Sequence, residues 1–392
     1  MKQVMHQGTA RRVAAVAGTL LLALQGWTPS SAGPREQARR IHDRLAGVPP
    51  TDAVLTQMAA DISGGQADAA AQLAMSNKNF YNVTLKNFVA PWTNRDRTVF
   101  VPLNDYTATV IGMVRDDVDF STLLSADLLY VSNASGAPAY STSNNDHYQY
   151  LDDNNVDLKA TLQPATQSGL LGLPVAATAG IMTTHAAAQA FFINGTNRAM
   201  FRFTMINHMC RDLEQLQDSS LPPDRIRQDV SRSPGGDSRV FLNSCITCHA
   251  GMDPLAQSFA YYNFDATTNT LQYTEGAVQP KYLINSDNFK TGYVTTDNHW
   301  DNRYRQGANQ VLGFDGALPG SGTGAKSMGQ ELAHSDGFAQ CQVEKVFRAV
   351  CLRDPGNAAD RASVQTIKGK FKTTGYKMKQ VFADAAIYCM GS

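Results

Sequence analysis

The segment Cys245-Ile246-Thr247-Cys248-His249 is the feature that most constrains how this 392-residue chain can fold. Two cysteines two residues apart, followed at once by a histidine, form the C-x-x-C-H pattern of covalent c-type haem attachment. The spacing suits that chemistry, because each thiol can add to one vinyl group of a porphyrin while the adjacent imidazole binds the iron. The sequence therefore predicts one covalent haem c on Cys245, Cys248 and His249, and with it an iron-containing, metal-binding protein.

Two other kinds of site share the C-x-x-C spacing. A structural zinc site needs a second pair of ligands at short spacing, and neither a second C-x-x-C nor a close pair of histidines follows in the sequence. A thioredoxin-like dithiol lies at a strand-to-helix turn of a βαβ unit, which the flanking residues do not indicate. Haem attachment is therefore the interpretation that the motif favours.

The amino terminus has the parts of a secretory signal peptide. Arg11 and Arg12 precede an apolar run over residues 13–24, and small residues stand before position 33 as a cleavage site requires. The run is too short to span a bilayer comfortably, and no later segment reaches the necessary length. Residues 1–32 are therefore predicted to be removed, leaving a periplasmic, secreted or cell-surface protein without a transmembrane segment.

Charge limits the partners that the chain can have. It contains 34 basic and 34 acidic residues, but Lys2, Arg11 and Arg12 lie in the predicted signal peptide, so the mature net charge is about −3. Nucleic-acid binding and a polybasic membrane patch both need a marked basic excess. The expected partner is instead a redox protein, and the sequence does not fix the oligomeric state.

Four cysteines remain outside the motif, and in an oxidising compartment they are expected to form two disulfides by one of three pairings. They are Cys210, Cys341, Cys351 and Cys389. Cys341 and Cys351 lie on one predicted helix, whose rise would separate them by about 15 Å, beyond the reach of a disulfide. One of the two is therefore expected to join Cys389 on the last helix. Buried free thiols are the alternative.

Hydrophobic periodicity predicts a mainly α-helical fold in two parts. Residues 33–165 are expected to form a helical N-terminal domain, and residues 166–392 a helical, c-type cytochrome-like domain with long loops that binds the haem. The clearest predicted helix covers residues 197–216, where apolar residues recur at intervals of three and four.

Three further helices are predicted to finish the chain. They cover residues 327–351 with a break near position 334, residues 362–371 and residues 377–389. Two polar stretches, residues 132–157 and 273–324, are rich in Ser, Asn, Asp and Gly and are predicted to be surface loops.

The haem motif belongs to a longer stretch that resembles a known family. Residues 245–255, followed by Phe264-Asp265, are similar to the C-x-x-C-H-x-x-M-D-P-L…F-D segment of the planctomycete-type cytochrome c proteins, a group of exported bacterial proteins. Weaker likenesses lie at residues 44–50, 208–210 and 338–355. The chain departs from the group at Ala256 and Leu352, where the group has glycine. The resemblance implies a predominantly helical haem-c protein and names no substrate.

The sixth iron ligand decides between an electron carrier and an enzyme, because a ligated iron favours outer-sphere electron transfer and an open one can bind peroxide or oxygen. The candidates are Met209 on an apolar helix face and Met328 or His334 downstream of the motif. Met252 lies on the proximal side, with His249, and is expected to pack.

The sequence therefore favours an exported monohaem c-type cytochrome that transfers single electrons to or from a redox partner, rather than a catalyst. One alternative is a haem-dependent enzyme of the peroxidase or oxygenase type. Another is a surface-interaction protein with a structural or sensory haem, which the two long polar stretches suggest.

Overall fold

The structure is a computed structural model that describes residues 32–193, 195–225, 239, 241–282 and 293–391. All but the last residue of the predicted signal peptide lies outside this part. The predicted mainly α-helical fold class is confirmed. The described α-helices are α1 Pro34–Ala46, α2 Asp52–Ser63, α3 Ala67–Met75, α4 Lys86–Val89, α5 Asp105–Arg115, α6 Asp146–Asp153, α7 Leu158–Thr161, α8 Gln167–Leu171, α9 His185–Phe191, α10 Arg198–Thr204, α11 Ile246–Ala256, α12 Gly324–Ala333, α13 Asp336–Cys351, α14 Ala358–Thr373 and α15 Met378–Tyr388.

The strands of the described residues pair in three small antiparallel sheets, each of two strands. They are β1 Leu129–Ser132 with β2 Leu162–Ala165, β3 Tyr262–Asp265 with β4 Thr270–Tyr273, and β5 His299–Asp301 with β6 Ser321–Thr323. Sheets of this size cannot form a layer of their own, so the helices build the core.

The N-terminal helices pack directly against the C-terminal ones. Helix α1 has a proline at its start and ends at Gly47 in the left-handed conformation, and it buries Ile41 and Leu45 against α2, α3 and α15. Arg44 adds a hydrogen bond of 2.7 Å from Nη1 to the carbonyl oxygen of Val350. One hydrophobic core thus crosses position 165, and the division of the chain into two domains there stays a prediction.

The predicted helix over residues 197–216 is wrong in its second half. Helix α10 continues only as a π-helix over Met205–Met209, and Cys210 then takes a left-handed φ of 53°, which ends the helix. Asp212 and Gln215 form a capping box that starts a separate 3₁₀ turn at Leu213. Leu216 is buried beyond the break, so the spacing of apolar residues alone does not reveal it.

The predicted loop over residues 132–157 is also partly wrong, because it contains helix α6. That helix buries His147, Tyr148 and Leu151. His147 accepts a hydrogen bond of 2.9 Å at Nε2 from the backbone N–H of Ser132. Polar composition concealed a short amphipathic helix that lies against β1.

The C-terminal predictions agree with the structure. The break near position 334 separates α12 from α13, where the Ser335 hydroxyl caps α13 by accepting from the backbone N–H of Phe338. Helices α14 and α15 follow. None of the helices in the described ranges is long and apolar enough to cross a membrane.

Two disulfides tie α13 to the rest of the fold. Cys351 pairs with Cys389, so the prediction that Cys341 or Cys351 joins Cys389 is confirmed. Cys341 pairs with Cys210 at the end of the π-helix. Cys341 and Cys351 both lie on α13, which is unbroken between them. The helix rise therefore keeps them too far apart to pair with each other.

Candidate functional site

The haem motif lies at the start of helix α11. A π-helix over Phe241–Cys245 leads into it, with Cys245 immediately before the first α-helical residue and Cys248 and His249 in the first turn. Single π-helical turns are rare and occur often at functional sites. All three side chains of the motif are partly exposed, so the start of α11 presents two thiols and an imidazole at the surface.

Cys245 and Cys248 are thiols, whereas the other four cysteines are paired. Burial raises the pKa of the Cys248 thiol, and its Sγ donates to the carbonyl oxygen of Leu213 at 3.4 Å. Thioredoxin-like dithiols have instead a lowered pKa at the start of a helix that follows a strand. The structure therefore gives no support to that alternative.

His249 is oriented by a buried carboxylate. Its Nδ1 lies 3.1 Å from Oδ1 of Asp253, one turn further along α11. The Asp253 side chain has no exposed surface, and it accepts two hydrogen bonds of 2.8 Å from Nε and Nη2 of Arg198. A hydrogen bond from the second ring nitrogen to a carboxylate is the usual support of a metal-ligating histidine, so a ligating His249 would use Nε2.

Sequence reasoning missed the role of Asp253 and Arg198. The spacing of four residues between His249 and Asp253 was a usable signal, because it places both on one face of a helix. Arg198 lies on α10, far away in the sequence. The short helix α10 is positioned by Asn197, whose amide donates to the carbonyl oxygens of Phe259 and Tyr262, both at 2.8 Å.

Gly251 and Tyr304 form one wall beside the motif. A Cβ at Gly251 would lie 2.2 Å from the Tyr304 ring, so this close packing requires glycine. Tyr304 is fully buried, burial raises its pKa, and its hydroxyl has no hydrogen-bond partner among the described residues. The hydroxyl is therefore an unused donor close to Cys248, as the pocket of a cofactor with acceptor groups would need.

The three candidate distal ligands all have structural contacts. Met209 is buried, and its sulfur accepts from the hydroxyl of Ser335 at 3.6 Å. Met328 is fully buried in the core on α12. His334 contacts the carbonyl oxygen of Gln330 through Nδ1, at 2.8 Å. These contacts do not test which side chain binds iron, so the distal ligand stays a prediction.

The prediction of a metal-binding protein needs a correction. Within the described ranges, no three or more His, Cys, Asp or Glu side chains are grouped so that they could hold a metal ion. Cys245, Cys248 and His249 do not converge on one point, as the ligands of a zinc ion must. A metal ion held by side chains alone is therefore not a property of this part of the chain.

Covalent haem attachment does not require convergence. The thiols react at the edge of the porphyrin and the imidazole reaches its centre, so the three side chains must point to different places. The donor set at the start of α11 fits this need: two thiols, one imidazole oriented through Nδ1, and a buried phenol nearby.

Comparison of the whole chain with protein-family models, with curated proteins and with solved structures gives no match.

Proposed function

We propose that this protein is an exported c-type cytochrome that carries one covalent haem on Cys245 and Cys248 and transfers single electrons to or from a redox partner. The observation that carries the proposal is the chain of contacts from His249 to Asp253 to Arg198. These contacts hold the imidazole through Nδ1, so Nε2 would be the nitrogen that binds the iron of a haem. The resemblance of residues 245–255 to planctomycete-type cytochrome c proteins supports the same function.

When bound, a haem c supplies an iron that changes its oxidation state by one electron. The chain's own residues hold and orient it. Cys245 and Cys248 would tether the porphyrin edge, and Nε2 of His249 would bind the iron. Asp253 holds the ring by accepting from Nδ1, and Arg198 keeps that carboxylate in place. By accepting from Nδ1, the carboxylate would also make the imidazole a stronger electron donor to a bound iron, which would favour the oxidised state.

Covalent attachment of the haem is tested by the intact mass of the protein. The full chain is expressed with the haem-attachment machinery, exported and purified. We expect a mature protein heavier by one haem that keeps its colour after denaturation, because two thioether bonds hold the group. The variant C245S/C248S should be folded and colourless. A wild-type protein without added mass, or one that contains zinc, would end the proposal.

A second candidate is a haem enzyme of the peroxidase or oxygenase type. The hydrogen bond from His249 to Asp253 favours it too, because a more basic imidazole stabilises higher oxidation states of iron. Carbon monoxide separates the two functions. Reduced-protein absorption bands that do not change on its addition indicate an iron with two axial ligands, and so electron transfer. A ready shift of these bands indicates an open position, and so the enzyme.

A further inference from the structure

A second feature of the fold has the character of a binding site. A cavity of about 540 Å³ opens between the π-helix of residues 205–209, the turn of residues 210–215, residues 88–97 and helix α13. This volume is within the range of small-molecule sites. Neither the motif cysteines nor His249 line the cavity, so the proposed haem site does not account for it.

The walls of this cavity carry more positive than negative charge. Of its lining residues, four are cationic and two are acidic, namely Arg97, Arg211, Lys345, Arg348, Asp212 and Glu344. One of the acids is already neutralised from outside the lining, because Asp212 accepts two hydrogen bonds, of 2.7 and 2.6 Å, from Arg202. One of the cations is likewise paired from outside the lining, because Arg348 donates to Asp354 at 2.6 Å. Arg97, Arg211 and Lys345 then face Glu344 as the remaining acid of the lining, so the cavity keeps an excess of positive charge.

Lys345 lies at the aromatic side of the cavity. Its ammonium lies 3.1 Å from the centroid of the Trp92 ring, and it donates to the carbonyl oxygen of Asn207 at 2.6 Å. Burial and the nearby arginines Arg97 and Arg348 lower its pKa. The ammonium form has three donors and the carbonyl of Asn207 takes one, so a bound anion would find donors on Lys345 and would favour its charged form. An anion beside it would relieve the unfavourable burial.

Arg97 lines the same cavity from the turn that follows Trp92. Its guanidinium makes no hydrogen bond or ion pair with any described side chain, although it is close enough to Asp212 and Lys345 to influence their charges. Its backbone has a φ of 54°, which is unfavourable for an arginine. Such strain often accompanies a functional position.

The floor of the cavity is apolar and aromatic. Trp92 is almost fully buried, and its ring packs edge-on against Phe88 with centroids 5.0 Å apart. Pro91 and Ile206 complete this surface. Lys345 covers the Trp92 ring, so the apolar surface left for a ligand is that of Phe88, Pro91 and Ile206, next to the cationic donors.

We propose that this cavity binds a small organic anion that has an aromatic or apolar ring and one or two carboxylates. The ring lies against Phe88, Pro91 and Ile206, which are only partly buried, and the carboxylates accept from Lys345 and Arg97. Bidentate pairing with a guanidinium and contact with an ammonium are the strong forms of carboxylate recognition. This site goes beyond the proposed electron transfer and does not depend on the haem.

Isothermal titration calorimetry of the purified mature chain tests the site with terephthalate as the probe. Benzyl alcohol is the neutral ring without a carboxylate, and sulfate is the dianion without a ring. For a probe of this size we expect a Kd on the order of 0.1–1 mM, at least tenfold tighter than for either comparison compound. Equal binding of sulfate would show only a patch of positive charge and would overturn the proposal, as would equal binding of benzyl alcohol.

Three variants locate the probe. K345M should weaken terephthalate binding about tenfold or more, because it removes a charged donor at the floor. R97Q, which changes an exposed side chain and so leaves the fold intact, should weaken it several-fold. R39Q, at an exposed arginine on α1 away from the cavity, should bind like the wild type. No terephthalate binding, or wild-type affinity in R97Q, refutes the assignment even if K345M does not fold.

Discussion

Two arginines on helix α10 allow a direct test of how strongly the buried carboxylate at the candidate site is held. Arg198 and Arg202 lie one turn apart, and each binds an aspartate through Nε and Nη2. The Arg198 and Asp253 side chains are 20% and 0% exposed, whereas those of Arg202 and Asp212 are 47% and 35% exposed. The two pairs share their geometry and differ in burial.

The substitutions R198M and R202M should therefore have different costs. R198M leaves the buried Asp253 carboxylate without its guanidinium, and removing one partner of a buried pair destabilises a protein by about 3–5 kcal/mol. R202M exposes a carboxylate that water can solvate, and exposed pairs contribute about 1 kcal/mol or less. Met keeps the helix propensity of Arg. The helix dipole reduces the expected difference by about 0.3–1 kcal/mol for each variant, because R198M removes a cation from the N-terminal end of α10 and R202M removes one from its C-terminal end.

The assay is urea unfolding with disulfides intact, followed by far-UV circular dichroism. We expect the free energy of unfolding to fall by at least about 2 kcal/mol more for R198M than for R202M. Equal losses would mean that Asp253 is solvated or satisfied in another way, and the idea of a rigid support for His249 would be lost. An R198M/D253N double variant should recover part of the loss, because it removes the charge that R198M leaves buried.

Three further changes follow from local geometry. L352G should stabilise the fold by about 1 kcal/mol in thermal or urea unfolding, because exposed Leu352 ends α13 at a left-handed φ of 54° that glycine adopts without strain. G251A should destabilise it by about 1–3 kcal/mol, since its Cβ would overlap the Tyr304 ring, whereas G369A on α14, with nothing within 4 Å, should be neutral or stabilising. Burial lowers the pKa of Lys281 to about 7. The unfolded state therefore binds more protons between pH 7 and 10, so stability should rise across this window in the wild type and less in K281M; an equal rise in both would contradict the lowered pKa.

The sequence predicts well the features that depend on local chemistry. The pairing of Cys389 with Cys341 or Cys351 followed from helix rise and the reach of a disulfide, and the structure selects Cys351. The break before α13 followed from a local change of pattern, and Ser335 supplies its cap. The proteins that residues 245–255 resemble have glycine at the position of Leu352. This preference has a physical basis, because the residue ends a helix in the left-handed region, which glycine adopts without strain.

The errors arise where tertiary contacts decide. Apolar periodicity continued through Cys210, but the chain turns there in a left-handed conformation and the cysteine is bound to α13. Arg198 carried no local signal of its contact with Asp253, because the two residues lie on different helices. Tyr304 was hidden in a stretch whose composition indicated a loop. Neither the periodicity nor the composition of a segment shows which distant segment it contacts.

The orientation of His249 depends on how α10 is anchored at its two ends. At the start, the buried amide of Asn197 binds the carbonyl oxygens that follow α11. At the finish, the π-helix ends at Cys210 and its disulfide to Cys341. Arg198 lies between these two anchors. Because the helix is fixed at both ends, the guanidinium of Arg198 stays in position against the Asp253 carboxylate. The disulfide therefore contributes to the candidate site as well as to stability, because it holds the helix that supports the carboxylate behind His249.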